Sequence, residues 1–227
     1  SIETTDGKPP VHLAGKAGLR GIEYVSPIAS AQVKSAILLA GLYAEGETAV
    51  VEPAVTRDHT ERMLTAFGVN VDVSGLRSAV QGGAELQAVD IDVPADISSA
   101  TFPLAAGCIS ATGPVVIHDV GINPSRTGIL DILSLMGADI RLSEHRQIGG
   151  EPVATLTVMP ATLKGVEIPR HLVPLAIDEF PVVFALAAIA QGSTLISGAE
   201  ELRAKESDRI TAMVNGLREL GVAVEEF

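Results

Sequence analysis

The chain repeats itself, and nothing else in its 227 residues narrows the fold as far. Three stretches share one order of events: an apolar helical run, a glycine turn, a strand, a polar loop, then an amphipathic helix closed by glycine. The first runs from Ser30-Ala31-Gln32-Val33-Lys34 through Gly41 and Val50-Val51 to Arg57-Asp58-His59 and Phe67-Gly68-Val69. The second runs from Ser98-Ser99-Ala100 through Thr112-Gly113 and Val115-Val116-Ile117 to Arg126-Thr127-Gly128 and Met136-Gly137-Ala138. The third runs from Ile177-Asp178-Glu179-Phe180 through Gln191-Gly192 and Leu195-Ile196 to Lys205-Glu206-Ser207-Asp208-Arg209 and Leu220-Gly221-Val222. The closing glycines stand 69 and 84 residues apart, and the 69 offset carries Ser30 onto Ser99 and Arg57 onto Arg126. Glycine after the last helical turn is a C-terminal stop. A unit of two helices and several strands cannot bury its faces alone, so the repeats imply layered α/β packing.

The spacing predicts a strand at Val69 to Val73, where apolar residues alternate with period two. The same alternation at Val89-Asp90-Ile91-Asp92-Val93 runs into Pro94, which marks a boundary and divides the chain into 1–93, with one repeat, and 94–227, with two. Loops are expected at Gln81 to Ala84 and at His145 to Pro152. Aromatic residues make up only 3% of the chain, so the core is built from Ala, Val, Leu and Ile. The formal charge of −12 argues against sequence-independent binding to nucleic acid or anionic membranes. The longest apolar stretch, Phe180 to Ala190, is roughly half of the ~20 residues a membrane-spanning helix needs. Residues Ser1 to Gly7 lack the basic start and apolar centre of a signal peptide, and with no initiator Met the chain reads as a processed or excised piece. A lone Cys108 in an apolar run permits no intrachain disulfide, fits a reducing cytosol, and reads as a small core residue.

Two places suit anions. Ser30 before Gln32-Val33 suits a helix cap, leaving free N–H groups at a positive dipole end, with Lys34 in the same turn. On spacing alone, ordinary capping is the favoured reading of Ser30 over ligand binding. In Leu202 to Arg209 the cations Lys205 and Arg209 stand at i, i+4, on one face if the helix has begun there. Left uncompensated they repel, which an anionic ligand would relieve. Asp178, at the head of the apolar run, reads either as a cap or as a base at the edge of a buried site. Asn123-Pro124-Ser125-Arg126-Thr127 reads as a cap with Pro near the first turn. The five histidines show no zinc spacing, and no glycine-rich nucleotide loop or serine elbow occurs.

At these motifs the chain resembles the 5-enolpyruvylshikimate-3-phosphate synthase family of enolpyruvyl transferases. The resemblance rests on Ser30 to Ala36, Thr56-Arg57-Asp58-His59-Thr60-Glu61, Asn123 to Gly128, and above all Arg203-Ala204-Lys205-Glu206-Ser207-Asp208-Arg209. It implies an α/β (α+β) fold of six βαβαββ-type units split over two globes, of which this chain holds three, one in the first globe and two in the second. It further implies that Ser30 and Gln32 hold shikimate 3-phosphate, with a backbone contact from Ala31, and makes Arg57 a lesser candidate for the same ligand. On the same basis Asp178 accepts the proton of the 5-hydroxyl, Lys205 binds shikimate 3-phosphate beside it, Glu206 exchanges a proton with the methylene carbon of phosphoenolpyruvate, and Arg209 neutralises that substrate. The implied partners are these two substrates and the remaining segments of the parent enzyme, with no metal or organic cofactor and a cytoplasmic location. The enolpyruvyl transferase acting on UDP-N-acetylglucosamine is the enzymatic alternative, and a non-catalytic repeat scaffold the other.

Overall fold

The computed structural model describes residues 2–15, 17–110 and 112–227, so that Ser1 of the N-terminal segment lies outside them. Asp6 and Gly7 both take positive φ, the geometry of a tight hairpin turn, and fold β1 (Ile2–Thr5) back on β2 (Lys8–Leu13) as an exposed antiparallel pair. Two compact units then follow from the contacts, Ser1–Val89 and Asp90–Phe227.

The first unit contains one full βαβαββ sequence. β3 (Glu23–Val25) leads to α1 (Ala31–Gly41), β4 (Glu47–Val51), α2 (His59–Ala66), β5 (Val71–Ser74) and β6 (Arg77–Gln81). The sheet order is β3-β4-β6-β5, with β3 and β4 parallel and the other pairs antiparallel. Three successive residues are buried at the centre of both β4 and β6, so both faces of the sheet are covered there. Leu38, Leu42, Val50, Leu64, Val69 and Val80 form this unit's core. Because β3 and β4 are parallel, the helices that follow them both begin at the same end of the sheet.

That end is closed by a buried ion triad. Lys34 Nζ lies 2.9 Å from Glu52 Oε2 and 2.8 Å from Glu61 Oε1, and its side chain is only 3% exposed. Thr56 Oγ1 donates to Glu52 at 2.6 Å and Ser78 Oγ to Glu61 at 3.1 Å. Ser35 and Thr60 add a hydroxyl contact of 2.7 Å between the first turns of α1 and α2. Lys34 therefore faces inward, and its charge serves the core instead of the helix end where the sequence suggested an anion.

The second unit repeats the pattern twice, with its leading strands worn down to single bridges. Ala95 pairs with Val120 in parallel, then α3 (Ile97–Ile109), β7 (Val115–Gly121), α4 (Gly128–Leu135), β8 (Asp139–Ile148) and β9 (Glu151–Met159) follow. The sheet order is β7-β9-β8, antiparallel throughout. The third repeat retains the parallel bridges Lys164–Gln191 and Glu167–Leu195, with α5 (Phe180–Ile189) and α6 (Arg209–Glu219). Phe180, Leu104, Ile129, Met136 and Leu156 are fully buried in one core that also encloses Cys108. Burial pushes the Cys108 thiol up, away from thiolate chemistry. Among the described residues no helix is long and apolar enough to cross a membrane.

Two expectations fail here. Val89 to Val93 forms no ladder among the described residues: it lies exposed with no partner strand beside it, and the first pairing after it is the single Ala95–Val120 bridge. The segment His145 to Pro152 is not a loop: β8 and β9 run through it, reversing only at Gly149-Gly150, both with positive φ.

Replacing Lys34 by Met strands two buried carboxylates and is expected to cost about 3–5 kcal/mol in urea unfolding. Burial alone lowers the Lys34 pKa, but its hydrogen bonds to Glu61 and Glu52 prevail and raise it above 10.5. A raised lysine contributes stability in full below its unfolded value and loses it as pH climbs through the folded one. Unfolding followed from pH 9 to 12 is therefore expected to show an alkaline loss in the parent chain that K34M lacks.

Candidate active site

In the third repeat, the structure brings together Asp178, Lys205, Glu206 and Arg209. Two 3-10 turns, Arg170–Leu172 and Pro174–Ala176, carry the chain to Asp178. They lie so close to α4 that a Cβ on Gly128 would stand 2.7 Å from Leu175 Cβ and 2.9 Å from the Leu172 carbonyl. Only glycine permits that approach. On the other side, the turn Glu200–Ala204 ends at Lys205, whose backbone is extended, and α6 begins at Arg209 behind the Asp208 cap. Asp208 Oδ1 accepts from the Thr211 N–H at 2.9 Å, and that backbone bond holds its carboxyl below the usual range against partial desolvation.

Asp178 Oδ1 stands 3.4 Å from Arg209 Nη1 and 3.7 Å from Lys205 Nζ. Lys205 Nζ also meets Glu201 at 2.9 Å, and Arg209 Nη2 meets Glu206 at 2.7 Å. The side chains of Lys205, Arg209 and Asp178 are 23, 24 and 30% exposed, while that of Glu206 is 81% exposed. Three half-buried charges and one exposed outer carboxylate thus share a surface that solvent reaches. The backbone N–H of Glu206 itself, followed by Arg209, holds the Glu206 carboxyl below its ordinary value.

Three details differ from expectation. Asp178 does not cap α5: Glu179 occupies that position, without a side-chain cap bond, and the Asp178 carboxylate turns to the cations. Lys205 and Arg209 do not share a helical face, since the helix starts only at Arg209, and they are compensated by Asp178, Glu201 and Glu206. The Asn123 segment turns on itself, Asn123 Oδ1 accepting from Ser125 N and Oγ at 2.9 and 2.7 Å, while Thr127 stands at the cap of α4 without a side-chain bond.

In the first unit, Ser30 caps α1 as expected, with its hydroxyl accepting from Val33 N at 3.4 Å. Ala31 is half-buried and Gln32 exposed in the first turn, which contains no acidic residue. Arg57 is half-buried in the loop between β4 and α2. The sequence-equivalent place in the second unit is built differently. Helix α3 starts one turn early behind Asp96, whose carboxylate accepts from Ser99 N and Oγ, each at 2.9 Å. Arg126, matched to Arg57 by the repeat, donates to Asp96 at 3.1 Å and to Ser98 at 2.6 Å. Desolvation works against the Asp96 charge, but the Ser99 and Ser98 bonds and Arg126 hold its carboxyl below the usual range. So the helix end that carries no acid in its first turn in the first repeat is capped by the protein's own carboxylate in the second. Sequence reasoning missed Asp96, Ser98 and Glu179. The visible signal was a pair of consecutive acids opening an apolar helix.

A family model described as EPSP synthase (3-phosphoshikimate 1-carboxyvinyltransferase) matches residues 1–227. The chain belongs to this family. It is 58% identical over 219 residues to the 3-phosphoshikimate 1-carboxyvinyltransferase of Alkalilimnicola ehrlichii, covering 96% of this chain and 49% of that protein. A solved EPSP synthase from Acinetobacter baumannii superposes with a TM-score of 0.87 at 53% identity, over 96% of this chain and 50% of that one. The enolpyruvyl transferase NikO from Streptomyces tendae shares the fold at 24% identity, with a TM-score of 0.52 over 69% of this chain and 37% of that one. The chain spans about half the length of the curated relatives it matches.

If Arg209 helps depress the Glu206 carboxyl, Arg209→Gln is expected to move the Glu206 titration, followed by 13C NMR, upward toward the ordinary glutamate value. An unchanged midpoint would assign the depression to the backbone N–H alone.

Proposed function

We propose that this chain is the central part of a cytoplasmic enzyme that transfers the enolpyruvyl group of phosphoenolpyruvate to the 5-hydroxyl of shikimate 3-phosphate, releasing phosphate. The observation that carries the reading is the meeting of Asp178 with Lys205 and Arg209 across 27 and 31 residues of sequence. Two anionic substrates must react on a protein of net charge −12, so cations have to be gathered locally.

The residues divide the work as follows. The α1 N-terminus, with Ser30, Ala31 and Gln32, and Arg57 beyond it, binds shikimate 3-phosphate; the absence of an acid in the first turn of α1 supports this over the Asp96-capped α3. Lys205 holds the same substrate near its 5-hydroxyl. That oxygen attacks C2 of phosphoenolpyruvate while Asp178 takes its proton, and C3 gains a proton from Glu206. In the second step C3 returns a proton to Glu206 and the C2–O bond to phosphate breaks. Its own backbone N–H and the Arg209 contact hold the Glu206 carboxyl below its ordinary value. An incoming phosphoenolpyruvate that draws Arg209 to itself removes one of these contacts and lets the Glu206 carboxyl return toward its ordinary value. Asp178, with Lys205 and Arg209 on its Oδ1, serves as the base.

The test is phosphate release from phosphoenolpyruvate and shikimate 3-phosphate by purified chain, with and without the other half of a relative supplied in trans. The chain alone is expected to be at least ~10⁴-fold slower than the complemented mixture, because it spans about half the length of the relatives it matches. Asp178→Asn is expected to lower the complemented rate by about 10²–10⁴. Full activity of D178N in the mixture would show that another group is the base.

A further inference from the structure

Beside Asp178 lies a second carboxylate that the transfer reaction does not use. Glu179 is 3% exposed, among the few buried charges of the protein. It stands at the cap position of α5 but its side chain makes no cap bond. It accepts a hydrogen bond from Ser98 Oγ, and Arg126 Nη2 lies 3.8 Å from the same oxygen. Arg126 Nη2 in turn donates to Ser98 Oγ and to Asp96 Oδ1. One hydroxyl thus receives from the arginine and donates to the glutamate. The result ties together the starts of α3, α4 and α5, contributed by two different repeats.

Buried ion clusters add little net stability, since removing charge from water costs about as much as pairing returns. Burial indeed pushes the Glu179 carboxyl up, Ser98 and Arg126 hold it down, and the neighbouring Asp178 charge pushes it up again. An apolar residue would pack there without that cost. What a carboxylate adds is direction: it fixes the first turn of α5 in one register. Asp178 is the next residue along, and its carboxylate must fall between Lys205 and Arg209, whose partners are Glu201 and Glu206. Two consecutive acids are therefore sorted, one inward onto Ser98 and Arg126, the other outward onto the cations.

We propose that Glu179 is a positioning residue, which with Ser98 and Arg126 sets the α5 start so that Asp178 is held between Lys205 and Arg209. The role attributed to Asp178 rests on the transferase reading, but its positioning is measurable without substrate. The measurement is the 13C carboxyl titration of Asp178 in the full chain, compared with Glu179→Gln, Glu179→Ala and Ser98→Ala. Ser98→Ala alters no charge and removes only the bridging hydroxyl. Loosened contact with the cations is expected to raise its Asp178 midpoint above that of the parent chain. Gln at 179 keeps the acceptor and removes a neighbouring negative charge, so its midpoint should fall, whereas Ala should titrate above Gln. If Glu179→Ala does not fold, Ser98→Ala decides alone. An unchanged midpoint in Ser98→Ala, or equal midpoints for the Gln and Ala variants, would overturn the proposal and leave Glu179 a mere charge neighbour. A failed transfer assay beside the expected titration would instead remove the assigned reaction and leave the positioning intact.

Discussion

Charge has to be balanced where helices begin. In each repeat, parallel strand pairing starts two helices at the same end of the sheet, so positive dipole ends accumulate there together with a Lys or Arg. The three repeats solve this in different ways. The first sinks Lys34 between Glu52 and Glu61 and leaves the start of α1 without an acid. The second neutralises α3 and Arg126 with Asp96 and Glu179. The third sets Lys205 and Arg209 against Asp178, Glu201 and Glu206 at a surface water reaches. Cation exposure rises along this series, from 3% for Lys34 to 16% for Arg126 and 24% for Arg209. Ligand chemistry belongs where the balance is incomplete or exchangeable.

Much of this was legible in the sequence because it is local. The apolar runs after Ser30 and Glu179 became α1 and α5, and Ser30 caps as its neighbours suggest. The closing glycines Gly68, Gly137 and Gly221 all take the positive φ that ends a helix. What was not legible depends on long-range partners. Lys34 looked like a ligand for an anion because Glu52 and Glu61 lie 18 and 27 residues away. The 69-residue offset equates Ser30 with Ser99, but α3 begins a turn earlier, so the true cap is a carboxylate. Val89 to Val93 has the pattern of a strand and lacks a neighbour to pair with. Pattern states which face is apolar, and pairing requires a partner strand in register.

The candidate site shows the same division. Residue types and order pointed to Asp178, Lys205, Glu206 and Arg209, yet their directions came from elements outside the motif. The close approach at Gly128 and the Ser98–Arg126–Glu179 links set where Asp178 stands. Glu206 is left outermost, held by its own N–H and by an arginine that a substrate anion would compete for.

The difference between an open α1 and a self-neutralised α3 is the claim on which the assignment of the phosphate site stands. It is tested most directly by following backbone amide resonances of the full chain during titration with shikimate 3-phosphate. The account predicts that the amides of Ala31, Gln32 and Val33 shift as ligand is added, while those of Ile97, Ser98 and Ser99 stay in place. Shifts centred on the start of α3, or none at the start of α1 when ligand is bound, would contradict it.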